Sequence, residues 1–314
     1  MKIILPGQYP RSEKLIAATR DIERKRISFS EMEKIRSDDY AQLKELQAGF
    51  PFYSTGLFNW QDLIRPFSEC VDASQEGVLT RFFETNTFWK LLDVKGEGHL
   101  DENKFEELLE RYFFGEGLYK REAPLLFTLP FIFLFQTFSR GLTLEKIAVI
   151  LEKAALKLLV DPNKALCFYE PNFGWKSFSE EEKKIARTLI ERIKKRTQGS
   201  LYIYSTFYSI QAERKFFYSL PVDGFGIDFY ANSIADCMTD FPKDKTLLAG
   251  IIHTTSTRIE AEETVADFMK MLFDFIPKEQ VMISASGPSE LLPRSVMDKK
   301  ITNMKRIIEC LPHS

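Results

Sequence analysis

Several apolar runs in this chain end on residues that move protons or hold ions: Glu170, Ser205 and Thr206, Asp228, His253 and Ser286. If these ends converge, the pocket gains one or two carboxylates and an imidazole. An imidazole titrates near neutrality, so His253 suits general acid or base work. Carboxylates at strand tips also cap the following helix, and a histidine at a rim also serves as a plain hydrogen-bonding group. Both readings stand for Glu170, Asp228 and His253. A second cluster, YPRSEKL (Tyr9–Leu15), follows the first apolar run and leads into a helix. There Arg11 and Lys14 are placed to hold an anionic tail at a helix start.

Convergence requires a scaffold that gathers strand ends at one mouth. The expected strands are Lys2–Leu5, Pro51–Gly56, Pro124–Pro130, Ala165–Glu170, Ser200–Ser205, Gly224–Phe229, Thr246–Ile252 and Val281–Ser286. Several are apolar throughout, as parallel strands covered on both faces must be. Amphipathic segments separate the later ones. SFSEEEKKIARTLIERIKKR carries Ser179 and Glu182 at capping-box spacing, and EAEETVADFMKMLFDFI lines up Val265, Phe268, Met269 and Leu272 on one face. Eight such units predict an α/β fold, a (β/α)8 TIM barrel whose chemistry sits at the C-terminal strand ends. A doubly wound open sheet is the alternative, but no GxGxxG follows the first strand. A long helix is expected between the first two strands, and Phe67–Tyr112 reads as an insertion after the second. Residues 1–314 read as one domain.

Composition narrows the function classes. The chain has 314 residues, 44% hydrophobic, with a formal charge of −2. No basic excess points to nucleic acid. The basic run Arg192–Arg196 ends a predicted helix, where cations meet the dipole favourably. APLLFTLPFIFLFQTF (Ala123–Phe138) is too short for a membrane span and is broken by prolines, so a buried strand entering a core helix is expected. Cys70, Cys167, Cys237 and Cys310 fit no CxxC pattern, which points to a reducing cytoplasm. DVKGEGHLDENKF (Asp93–Phe105) has the outline of a calcium loop, but Lys95 and Lys104 stand where ligands are required, so a turn and a capped helix are expected.

The segments PGQYPRSEKL, KRISFSEM, STGLFNWQDL, RFFETNTFWK, APLLFTLP, FYEPNFGW, LPVDGFGIDF and FPKDKTLLAGII span almost the whole chain in order. Together they resemble the N-terminal barrel half of cobalamin-independent methionine synthase. The resemblance implies methyl transfer from a methyl-tetrahydrofolate polyglutamate to homocysteine, whose thiol a zinc ion turns into a thiolate. It also implies substrate-binding roles for Arg11, Lys14, Glu84 and Asn86. In the family the zinc belongs to the C-terminal half. Tyr204, Thr206, Asp228 and Ser286 stand at the matching positions, and only Asp228 is a competent ligand. The family's catalytic histidine falls at Thr255 rather than His253. The expectation is a stand-alone module that binds no zinc or other cofactor and acts with a separate zinc-bearing barrel. The alternatives are a non-catalytic binding or scaffold barrel, and an enzyme of different chemistry using Glu170, Asp228 and His253.

Overall fold

The computed structural model describes residues 1–59, 62–109 and 123–310. Eight strands fall on the expected runs: β1 (Lys2–Ile3), β2 (Tyr53–Ser54), β5 (Leu125–Pro130), β7 (Ala165–Tyr169), β8 (Ser200–Ser205), β9 (Gly224–Asp228), β10 (Thr246–Ile252) and β11 (Val281–Ala285). They form one parallel sheet in the order β1-β11-β10-β9-β8-β7-β5-β2. Each inner strand is buried on both faces, which explains the continuous apolar runs. Among the described residues no ladder joins β1 to β2. The seam is instead stitched beyond the strands, where the Tyr9 amide donates to the Gly56 carbonyl at 3.0 Å and the Gly7 amide to Thr128 Oγ1 at 2.8 Å. The fold is a TIM-barrel-like α/β sheet curled around a packed interior.

Helices follow the strands as amphipathic segments. Ser179 caps Glu180–Arg196 with the full capping box, and Glu262–Phe273 buries Val265, Met269 and Leu272. The greasy stretch Ala123–Phe138 becomes β5 and the buried helix Ile132–Thr137. No helix among the described residues is long and apolar enough to cross a membrane. Helix Glu13–Glu23 follows YPRSEKL as expected, and Phe29–Leu46 is the long helix expected between the first two strands.

The insertion differs most from expectation. It contains an antiparallel hairpin, β3 (Ser74–Arg81) with β4 (Phe88–Val94), extended by β6 (Ser139–Arg140). Its β3 strand is largely exposed and bulged between Glu76 and Leu79, so it lacks the alternation that marks a strand in sequence. After β4 comes the expected turn, and Asp101 caps helix Glu102–Leu108. The last residues of the expected insertion, up to Tyr112, lie outside the described residues.

One side chain organises the barrel interior near the mouth. Tyr204 lies across β9 and β10, and its hydroxyl donates to the Ala285 carbonyl on β11 at 2.5 Å. Tyr169 stacks parallel to it at 6.2 Å. The ring fits only because positions 226 and 250 lack side chains: a Cβ on Gly226 would meet the ring at 1.8 Å, and one on Gly250 would meet the hydroxyl at 2.3 Å.

Candidate functional site

The C-terminal strand ends and the turn between β3 and β4 together frame the mouth. Two adjoining cavities open there, of about 740 and 570 Å³, and both are lined by Thr87 and Glu290. The larger runs from Glu290 to Gln8, Arg11, Ser12 and Arg294. The smaller runs from Glu290 to Glu84, Asn86, Phe207 and Tyr208. The hairpin insertion therefore delivers Glu84 and Asn86 to the barrel mouth, and the loop after β1 delivers Arg11.

The larger compartment is built around arginine. Arg294 opens the last helix, Arg294–Cys310, and is only 7% exposed. Its Nε donates to both Asp298 oxygens at 2.8 and 2.9 Å, and its Nη1 to the Pro10 carbonyl at 3.3 Å. Its guanidinium lies over the rings of Tyr9 and Phe58. Its Nη2 is buried with no hydrogen-bond partner. Burial, and then the nearby Arg65, lower the pKa of Arg11, so a counter-ion there is favoured. Ser12 caps helix Glu13–Glu23 at the same place. Lys14 is exposed on that helix and does not line the compartment.

The smaller compartment is walled by rings and carboxyls. Phe83, Trp175, Phe207 and Tyr208 cluster beside it, with centroid distances of 5.0 Å for Trp175–Tyr208, 5.8 Å for Phe83–Trp175 and 6.1 Å for Phe83–Tyr208. Phe83 (φ 48) and Phe207 (φ 70) both sit in the left-handed region, where a bulky residue is an outlier held by its surroundings. Glu290 Oε2 is buried without a partner, and burial pushes its carboxyl up to about 8.

The strand-tip carboxylates act on the framework of this compartment. Glu170 is fully buried. It accepts from the Leu134 amide at 2.8 Å, capping helix Ile132–Thr137, and from the amide and side chain of Asn172. It thereby fixes the turn Pro171–Gly174 that carries Trp175. Asp228 accepts from the Phe207 amide at 3.1 Å and the Tyr230 amide at 2.9 Å, and so holds the strained Phe207. Burial raises Glu170 to about 7 and Asp228 to about 6, although the bonds they accept pull the other way. Neither lines either mouth compartment.

His253 faces elsewhere. Side chains alternate along a strand. Gly250, beside Tyr204, faces the interior, so Ile251 and His253 face out. His253 lines a separate outer cleft against helix Glu262–Phe273, stacked on Tyr230 at 3.9 Å with Nε2 bonded to Thr255. Burial, then Lys300, lower its pKa. Glu170, Asp228 and His253 thus share no cavity.

The side chains at the positions matched to the family's zinc ligands are engaged within the barrel. Tyr204 is bonded to Ala285, Thr206 Oγ1 to the Tyr169 hydroxyl at 2.9 Å, and Ser286 Oγ accepts from the Thr254 amide at 3.2 Å. Among the described residues no three His, Cys, Asp or Glu side chains are placed to hold one metal ion. The oxygens present are neutral hydroxyls already engaged, apart from Asp228, and zinc is held by thiolate, imidazole and carboxylate.

Glu290, Arg294 and the ring cluster were not singled out in the sequence, except that Phe83 and Trp175 fall within the segments RFFETNTFWK and FYEPNFGW.

Comparison with known proteins agrees with this architecture. A family model described as the cobalamin-independent synthase N-terminal domain matches residues 79–268. The 5-methyltetrahydropteroyltriglutamate–homocysteine methyltransferase of Thermodesulfovibrio yellowstonii is 27% identical over 229 residues, covering 69% of this chain and 30% of that protein. The methionine synthase of Sulfurisphaera tokodaii is 34% identical over 61 residues, 19% of this chain and 18% of that protein. The chain thus spans under a third of the length of these relatives. Among solved structures, a vitamin-B12-independent methionine synthase from Listeria monocytogenes superposes with a TM-score of 0.72 at 14% identity, covering 98% of this chain and 97% of that one. A B12-independent methionine synthase from Shewanella sp. W3-18-1 gives 0.65 at 16%, covering 90% and 89%. At those identities the structures speak to the fold.

Proposed function

Since the chain belongs to the family of cobalamin-independent synthase N-terminal domains, we propose that it holds the methyl donor in a methionine-synthase-like methyl transfer, beside a separate zinc-bearing barrel. The observation that carries this reading is the arginine compartment. Arg294 presents a buried, unpartnered Nη2 and Arg11 a partly desolvated guanidinium, both next to a capped helix start. A methyl-tetrahydrofolate polyglutamate ends in a run of carboxylates, which guanidinium groups match well. Arg11 takes the role expected of it, and Arg294 replaces Lys14 as the second cation. On this reading the chain holds no zinc, because the hydroxyls at the family's ligand positions are committed to the barrel.

The barrel alone then has no means of activating homocysteine. A thiol ionises near 8.5, and neither Asp228 nor Glu170, each occupied by backbone amides, is free to take its proton. The test is calorimetric titration with methyl-tetrahydrofolate carrying one or three glutamates. The triglutamate is expected to bind about tenfold more tightly or better, and Arg11→Gln to remove most of that difference. Equal affinity for the two forms would sink the reading. Methionine formation is expected only on adding a zinc-bearing homologous barrel. If the tail binds but no barrel restores turnover, the chain is a binding protein.

A further inference from the structure

We infer that the smaller mouth compartment is a binding site for an organic cation bearing a methylated onium group. Its lining holds no cation, whereas the arginine compartment sets Arg11 and Arg294 among the carboxyls of Glu13, Glu290 and Asp298. Its lining includes Glu84 and the protonated carboxyl of Glu290, and no lysine or arginine. Two rings line it, Phe207 and Tyr208, and Phe83 and Trp175 pack against them. The faces of aromatic rings carry negative potential and attract cations whose charge is spread over methyl groups, which are cheap to desolvate.

Three further observations support a built site. Trp175 is half exposed at 50%, although an indole of that size is normally covered. Phe83 and Phe207 are both held at positive φ, a cost that folding alone gives no reason to bear twice at one place. Glu290 keeps a buried oxygen with no partner at the junction of the compartments. The Glu84 carboxylate also faces the rings, since after burial it is the chief cause that pushes the Tyr208 phenol up to about 12. The volume of about 570 Å³ admits a small onium compound with room for a tail. The inference does not rest on tail binding in the arginine compartment, because the two linings meet only at Thr87 and Glu290.

The probe is choline, compared with its neutral carbon isostere 3,3-dimethylbutan-1-ol. Titration is followed by calorimetry and by tryptophan fluorescence at constant ionic strength. Choline is expected to saturate with a Kd of about 1 mM or tighter, and the isostere to bind at least tenfold more weakly. Trp175→Leu is expected to weaken choline about tenfold, and Glu84→Gln about threefold to tenfold. Both side chains are exposed enough for the variants to fold, which a thermal melt confirms. Equal binding of choline and its isostere would overturn the inference. So would no saturation, or choline binding unchanged in both variants. A loss of folate-tail binding in Arg11→Gln with choline binding intact separates this site from the arginine compartment.

Discussion

The two compartments of the mouth share two residues but are made in opposite ways. The arginine compartment is part of the scaffold: Arg294 joins the last helix to the loop after β1, and so helps close the seam that no ladder closes. The ring compartment is attached to the scaffold by loops. Its walls come from the β3–β4 turn and the loops after β8, β10 and β11, with Phe207 held from behind by Asp228. A site built from scaffold cannot change its charge without loss of stability. A site built from loops can be altered while the barrel stays intact.

The sharpest way to break this contrast is Arg294→Ala. It removes a buried cation that is stacked on two rings and bonded to Asp298 and Pro10, which should cost about 3–5 kcal/mol and lower Tm by roughly 10 °C. Glu84→Gln, at the exposed edge of the other compartment, should leave Tm unchanged within about 1 °C. Comparable melts for the two variants would erase the distinction.

A second test uses pH. In the unfolded chain Asp228, Glu170 and Glu290 ionise near 4. In the folded state burial keeps them protonated up to about 6, 7 and 8. Over that window the native state binds more protons than the unfolded state, so their combined effect lowers stability as pH rises from about 4 to 8. A net fall in stability is expected in denaturant titrations between pH 5 and 8. In Glu290→Gln the part of the fall between pH 7 and 8 should shrink. A stability that rises steadily across the window would show these carboxyls to be solvated.

Asp228→Asn should cost about 1–2 kcal/mol, since an amide has one acceptor oxygen for the two backbone amides the carboxylate now serves. Its more telling effect is local. With Phe207 released, choline binding should weaken while triglutamate binding stays within twofold. The smallest effect is expected for His253→Ala, which should cost less than about 1 kcal/mol and leave binding at both compartments unchanged. Loss of either binding activity in that variant would return His253 to the mouth.

The barrel was legible because its strands are buried on both faces. LLFTLP, LYIYS and TLLAGII carry that requirement in plain composition. The hairpin was not, because SQEGVLTR shows solvent most of its side chains and hides a bulge at Gly77 and Val78. For the site, strand ends were found but their facing was not: counting in twos from Gly250 would have turned His253 outward. Glu84 and Asn86 came from resemblance alone, since nothing local says that an exposed hairpin bends over a mouth. Glu290 sits in a short turn well past the end of β11, where neither spacing nor periodicity distinguishes it from a surface acid.

The Tyr204 brace bears on what this barrel can become. Exchanging Tyr204 for a histidine would remove the bond to Ala285 and open a void beside two glycines, as large-to-small changes in a packed interior do. Filling position 226 or 250 first would drive a new side chain into the ring that is already there. Either order passes through a weaker protein. The brace therefore works as a ratchet: steps toward a metal-binding interior at these positions each lower fitness for folding before any ligand can bind.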